Sequence, residues 1–322
     1  MKGREDDLSV ISRGGNGTTA SSPVDVDVLA GMKLGIAVVC NRRFIAASVD
    51  GKICDLSGVV HAESLIAVIH DWKRLKPMIE QAIARAEHFV LDAQWSSPLP
   101  NPPKFLLLAG NFRAHVVESG FEAAPEMDLT PQFFMKPSTA IIGPTDDIPL
   151  TSANHALDYE AELAVVIGTR VRDVTSEAAM DAVWGYTVVN DISERKLNDG
   201  MHNRRKRSND DFYDWLVGKW FDGSAPMGPF VVTADEMGSG TMIRARLNGE
   251  TVQEAPATAM IHSISEAIVY ISSVLTLEPG DVIAMGTPSG VGAARGRLLQ
   301  DGDVIECEVS GIGVLRNRVC RP

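Results

Sequence analysis

A strand of apolar residues that opens with alternating carboxylates constrains this chain more than any other feature. Leu157-Asp158-Tyr159-Glu160-Ala161-Glu162-Leu163 runs directly into Ala164-Val165-Val166-Ile167-Gly168. The β-branched run closed by a glycine reads as a buried strand. Side chains alternate across a strand, so Asp158, Glu160 and Glu162 are expected on one face. Carboxylates crowded at the mouth of such a strand repel one another and lose hydration. A hard divalent cation held by their oxygens relieves both. The alternative is a solvated strand end without a ligand, which suits Asp158 better than it suits Glu160 and Glu162.

A second acidic site strengthens the metal reading. Val188-Val189-Asn190-Asp191 is another apolar strand ending in an acid, at the strand-to-loop junction where functional residues concentrate. Asp191 taken alone reads equally as the N-cap of the following turn. Together, Glu160, Glu162 and Asp191 make three carboxylates with coordination positions to spare, a set suited to octahedral Mg²⁺ or Mn²⁺. Upstream, Gly110-Asn111-Phe112-Arg113-Ala114-His115-Val116-Val117-Glu118 places His115 and Glu118 at i, i+3 spacing if the segment is helical. A carboxylate beside an imidazole fixes its tautomer and raises its basicity, as a general base acting on water requires. An ordinary surface pair is the competing explanation.

Lys219, between an aromatic cluster and Gly223, is placed either to neutralise an oxyanion or to lay its stem over the core. The turn Met285-Gly286-Thr287-Pro288-Ser289-Gly290 offers backbone N–H groups and the Thr287 hydroxyl to a carboxylate. It lacks the G-K-[ST] ending of a phosphate loop. The basic run Arg204-Arg205-Lys206-Arg207 is surrounded by Asp199, Asp210, Asp211 and Asp214 and is read as a solvated loop, with a lid over an anionic substrate as the alternative.

Bulk properties limit the remaining choices. The 322 residues, 45% of them hydrophobic, suffice for one large domain or two smaller ones. A formal net charge of −12 argues against nonspecific nucleic-acid binding. Four scattered cysteines form neither a zinc spacing nor a disulfide framework. No apolar run approaches the roughly 20 residues that span a bilayer, and the N-terminus lacks signal-peptide character. A cytoplasmic protein acting on a small molecule, without nucleic acid or membrane, is expected.

Residues 1–31, rich in Gly, Ser and Thr, read as a disordered extension. Residues 32–98 read as a small N-terminal α+β domain, with apolar runs at 35–39, 44–49 and 53–56 forming an antiparallel sheet and helical spacing over 63–87. Pro98, Pro100, Pro102 and Pro103 are expected to act as a stiff linker. Residues 104–322 are rich in strand signals, with helices expected at 175–183 and 261–275. A β-dominated α+β fold follows.

Taken in order, Phe134-Met135-Lys136-Pro137-Ser138, Asp158 to Gly168, Gly185 to Arg195, Gly218 to Pro229 and Leu277 to Gly292 resemble the fumarylacetoacetate hydrolase family over roughly 105–318. The resemblance implies a C-terminal β-roll with a partly closed barrel, usually dimeric, so a homodimer is expected. It places metal ligands on Glu160, Glu162 and Asp191, a substrate-side arginine on Arg195, the active-site lysine on Lys219 and the glycine-turn threonine on Thr287. Lys136 joins the substrate side. His115 and Glu118 match the water-activating dyad of acylpyruvase-like members. Two positions depart from the pattern: Leu108 stands where fumarylacetoacetases proper carry a further metal-binding aspartate, and Phe112 where relatives often have tyrosine. The implied activity is a Mg²⁺-dependent hydrolase, with Mn²⁺ or Ca²⁺ as alternatives, that cuts a carbon–carbon bond in an acylpyruvate or sugar-derived 2,4-diketo acid and releases pyruvate. Oxaloacetate decarboxylation and isomerisation of an unsaturated 2-oxo diacid are the alternatives for the same metal site.

Overall fold

The run Ala161–Ile167 is buried at every position, so it needs cover on both faces. Leu163, Val165 and Ile167 enter a core shared with Ile243, Ile305 and Leu315. Ala164 and Val166 enter another, shared with Leu65, Val68, Leu75 and Ile79. Period-two alternation therefore sends one strand's side chains into two separate cores. The computed structural model describes residues 31–85, 88–122, 129–150, 156–199, 204–233 and 240–321. The expected extension 1–31 lies outside them except for Gly31.

Ala161–Ile167 is an inner strand of an 11-stranded sheet. It pairs antiparallel with Val183–Asn190 on one side and Val282–Ala284 on the other. Beyond these lie Ala225–Thr233 on one flank, and Phe105–Ala109 then Gln132–Met135 on the other. A 5-stranded sheet built from Glu250–Pro256, Met242–Leu247, Val304–Val309, Gly313–Cys320 and Ile148–Pro149 covers the first core. None of the sheets among the described residues closes on itself. The fold is α+β and dominated by strands, as expected.

The antiparallel sheet expected near the N-terminus is present as Lys33–Val39, Arg42–Val49 and Lys52–Asp55. Its first strand continues into the large sheet, with Lys33 opposite Val232 and Leu34 opposite Val231. Leu34 and Ile36 also share a core with Phe105 and Val166. The proline-rich segment does not span open solvent: Ser97, Pro98 and Leu99 are buried, because Gln94–Ser96 pairs with Lys33–Val39 and carries the chain across the sheet.

The helical stretch 63–87 is two helices, Leu65–His70 and Trp72–Arg85. Asp71 leaves helical geometry (φ −107°, ψ 22°) and its carbonyl accepts from Arg74 and Leu75, opening the second helix. The segment 175–183 is a short helix, Ser176–Ala179, tightening into a 3₁₀ turn at Met180–Ala182. Ile264–Val274 begins three residues later than expected because Ser263 and Glu266 form a reciprocal capping box. No helix among the described residues is long and apolar enough to cross a membrane.

Candidate active site

The strand Leu157–Asp158 and the strand Ala161–Ile167 are separated by Tyr159-Glu160, and this break decides which carboxylates meet. Glu160 and Glu162 stay on one face, and Asp191 follows directly after Val183–Asn190, whose Asn190 lies opposite Ala161. Ligand oxygens of Glu160, Glu162 and Asp191 lie within 4.8 Å of one another, and all three residues are buried. Asp158 turns away. Its carboxylate accepts from Gly292 N at 2.6 Å and Ala293 N at 3.0 Å, and pairs with Arg195 Nε at 3.0 Å. The common face expected for Asp158 is lost to this break, and the residue is fully buried rather than solvated.

Two lysines brace the triad from different sides. Lys219 Nζ donates to Glu160 Oε2 at 2.8 Å and to Asp191 Oδ2 at 2.7 Å. Lys136 Nζ donates to Asp191 Oδ1, and also to the carbonyls of Ile192 at 3.0 Å and Ser224 at 2.8 Å. All three Lys136 donors are thus used inside the protein. Asp191 is bound by lysines rather than capping a turn. Arg195 Nη2 donates to Glu160 Oε1 at 2.6 Å, where Ser193 Oγ also donates at 3.2 Å.

Burial alone would raise the Glu160 carboxyl, but Lys219 and Arg195 beside it hold it well below the ordinary range. Among the described residues Glu162 makes no ion pair with either cation, and its Oε2 accepts the Gly286 N–H at 2.9 Å. Burial first, and then the charges of Asp191 and Glu160, push it well above the ordinary carboxylate value. A buried carboxylate with two anionic neighbours and no cation of its own fits a metal ligand, and an all-oxygen set fits a hard divalent ion. Burial lowers the Lys136 ammonium despite Asp191, while Asp191 and Glu160 outweigh burial at Lys219 and raise it.

Arg113–Glu118 is a helix, so His115 and Glu118 do face each other: His115 Nδ1 lies 2.7 Å from Glu118 Oε1. Glu118 Oε2 accepts from Gly290 N at 2.7 Å, anchoring the dyad to the glycine turn. That turn also needs its glycines. Gly286 has φ +85°, and a Cβ there would sit 2.8 Å from Cβ of Asn111. His115, Glu160, Glu162, Asp191, Arg195, Lys219 and Thr287 all line one cavity of about 750 Å³. Its far wall includes Phe121, Phe134, Phe212 and Trp215. Lys136 stands behind Asp191 and does not line it. Three residues of the basic run are paired with the aspartates around it, Arg204 with Asp214 and Asp210, Lys206 with Asp211 and Arg207 with Asp210.

Three supporting residues were not singled out from sequence. Gln253, from the five-stranded sheet, donates Nε2 to Thr287 Oγ1 at 2.9 Å and accepts Ala161 N at 3.1 Å. Thr287 in turn donates to Ala161 O at 3.0 Å, so both backbone groups of the residue between Glu160 and Glu162 are held. Asn111 accepts His262 N at 2.8 Å and donates to Met285 O at 2.8 Å, joining the dyad helix to the glycine turn. Its signal was its place in Gly110-Asn111, just ahead of His115. Asn190 accepts the Glu160 N–H at 3.0 Å. Gln253→Leu is expected to weaken divalent-metal binding by about 10–100-fold, the usual cost of losing a supporting hydrogen bond. Titration of the purified variant with Mn²⁺ measures it, and an unchanged affinity would show the link to be dispensable.

Comparison with known proteins places this geometry. The family described as fumarylacetoacetate (FAA) hydrolase C-terminal matches residues 104–320. A 2,4-didehydro-3-deoxy-L-rhamnonate hydrolase of Sphingomonas sp. is 33% identical over 278 residues, 84% of this chain and 89% of the relative. A mitochondrial oxaloacetate tautomerase of Xenopus laevis is 37% identical over 227 residues, 69% of this chain and 67% of the relative. The crystal structure of maleylpyruvate hydrolase from Sphingobium sp., in complex with manganese(II) and pyruvate, superposes with a TM-score of 0.71 at 26% identity, covering 90% of this chain and 99% of that one.

Proposed function

This chain belongs to the fumarylacetoacetate hydrolase family, and on that premise we propose that it is a divalent-metal-dependent hydrolase that cleaves a carbon–carbon bond in a 2,4-diketo acid and releases pyruvate. The observation that carries this reading is the meeting of a carboxylate triad and a His–Glu dyad in one cavity. Glu160, Glu162 and Asp191 would hold the ion, Mg²⁺ first and Mn²⁺ or Ca²⁺ on the same oxygens. Bound there, it supplies Lewis-acid stabilisation of the negative charge that builds on oxygen as the bond breaks.

The chain's own residues do the rest. Glu118 accepts the Nδ1 proton of His115, leaving Nε2 to take a proton from water. The hydroxide so formed adds to the distal carbonyl carbon. The adjacent carbon–carbon bond breaks, the acyl part leaves as a carboxylic acid, and the three-carbon part collects a proton to become pyruvate. Lys219 donates to developing oxygen charge, while Arg195 orients the substrate carboxylate. The Thr287 hydroxyl, whose proton goes to Ala161 O, lines the site and supports the strand instead of donating to the carboxylate. Lys136 acts as a positioning residue behind Asp191. A homodimer is part of the same proposal.

Losing one donor to an oxyanion costs about 10²–10³ in rate, and Lys219→Ala is expected to show that loss in kcat; near-wild-type turnover would remove Lys219 from the chemistry. The primary test is pyruvate release from acetylpyruvate in the presence of Mg²⁺. Release is expected, and excess chelator is expected to abolish it. A second reading, oxaloacetate tautomerisation or decarboxylation, is favoured by the name of the Xenopus relative and needs no attacking water. Turnover of oxaloacetate with no release from acetylpyruvate would put it in place of the first.

A further inference from the structure

The charged groups at the floor of the cavity nearly balance. Asp158, Glu160, Glu162 and Asp191 are buried carboxylates, and Lys136, Lys219 and Arg195 are the cations paired among them. These seven groups sum to one negative charge, and the Glu118 carboxylate of the dyad adds a second. A divalent ion on the triad would offset both, so the first substrate carboxylate already draws on the remaining donors of Arg195 and Lys219. A second carboxylate would find no further lysine or arginine among the described residues that line the cavity, and charges enclosed away from water are costly when unpaired.

The rest of the cavity offers no relief. Among the described residues lining it, Arg195 and Lys219 are the only lysine or arginine side chains, and both already hold Glu160. The outer wall contributes Ser119, Glu122, Thr130, Gln132 and His262. Four of these hydrogen-bond without carrying a fixed positive charge, and Glu122 is acidic. Burial lowers His262 below its ordinary value, which disfavours its charged form.

We infer that the substrate is a monocarboxylate whose distal part is uncharged, rather than a dicarboxylic oxo acid. This deepens the 2,4-diketo acid reading and rests on it for the placement of the substrate's carboxylate on the floor. Two probes of equal length separate the classes without turnover: 2-oxopentanoate, ending in a methyl group, and 2-oxoglutarate, ending in a carboxylate. Calorimetric titration of the full-length, Mn²⁺-loaded protein with each reads the difference. Binding of 2-oxopentanoate is expected to be at least about tenfold tighter, the discrimination that 1.4 kcal/mol provides. It is expected to persist at 1 M NaCl, where the screening length of about 3 Å removes the influence of distant surface charge. Equal affinities, tighter binding of 2-oxoglutarate, binding of neither probe, or collapse of the preference at high salt would each overturn the inference. Failure of acetylpyruvate to release pyruvate, with the binding preference intact, would count against the hydrolase reading alone.

Discussion

Replacing His115 by alanine is expected to lower pyruvate release from a 2,4-diketo acid by about 10²–10⁴-fold, the usual contribution of a positioned general base, while leaving divalent-metal affinity unchanged. His115 reaches the site from the helix Arg113–Glu118 and makes no hydrogen bond to the carboxylates of the triad among those described. Its loss should therefore appear in kcat and leave metal titrations alone. Glu118→Gln is expected to fall between wild type and His115→Ala, because the amide can still bond Nδ1 but cannot stabilise the imidazolium that forms. Steady-state kinetics on acetylpyruvate and Mn²⁺ titration of the same preparations measure both effects. Retained hydrolysis in His115→Ala would assign water activation elsewhere. Retained oxaloacetate turnover alongside lost hydrolysis would show one metal site serving two reactions, only one of which needs a base for water.

The second large effect has opposite signs in the metal-free and metal-loaded protein. Glu162→Gln is expected to raise the melting temperature of the chelator-treated protein and to erase most of the stabilisation that Mg²⁺ confers on wild type. Glu162 is buried against Asp191 and Glu160 with a single backbone donor, so its charge is a liability until a cation arrives. A ligand at 100 times its Kd stabilises a folded protein by about 2.7 kcal/mol, and that increment should shrink when one of three ligand oxygens loses its charge. Lys219→Met is expected to act in the reverse sense without metal. It strips the cation from Glu160 and Asp191, and breaking a buried pair costs about 3–5 kcal/mol. Thermal unfolding of the three proteins with Mg²⁺ and with chelator makes the comparison. A lowered metal-free melting temperature in Glu162→Gln, or a Mg²⁺ shift equal to that of wild type, would take Glu162 out of the metal site.

The residues near the cavity differ in how far local sequence could place them. His115 and Glu118 were legible as a pair because three residues of helix return a side chain to the same face, and only the helix itself had to be assumed. Glu160 and Glu162 were legible for the analogous reason in a strand. Asp158 obeyed the same spacing yet left the group, because the chain breaks at Tyr159-Glu160 and the N–H groups of Gly292 and Ala293 take its carboxylate instead. Those donors lie more than 130 residues away, with separations of 134 and 135. No pattern within a strand-length window carries them.

Periodicity and turn chemistry by themselves determined the strand-dominated α+β class, the strand at 105–109, the shared face of Glu160 and Glu162 and the His–Glu pair. Each depends on interactions within a few residues, where backbone geometry permits few outcomes. Only the tertiary structure decided that Lys136 stands behind Asp191, that Gln253 crosses from the five-stranded sheet to hold Ala161, and that Lys33–Val39 pairs with Ala225–Thr233. It also decided that, among the described residues lining the cavity, Arg195 and Lys219 are the lysine and arginine side chains. These outcomes depend on which sheet edges and faces find each other, a choice made by burying apolar surface across the whole chain rather than by the preference of any one segment.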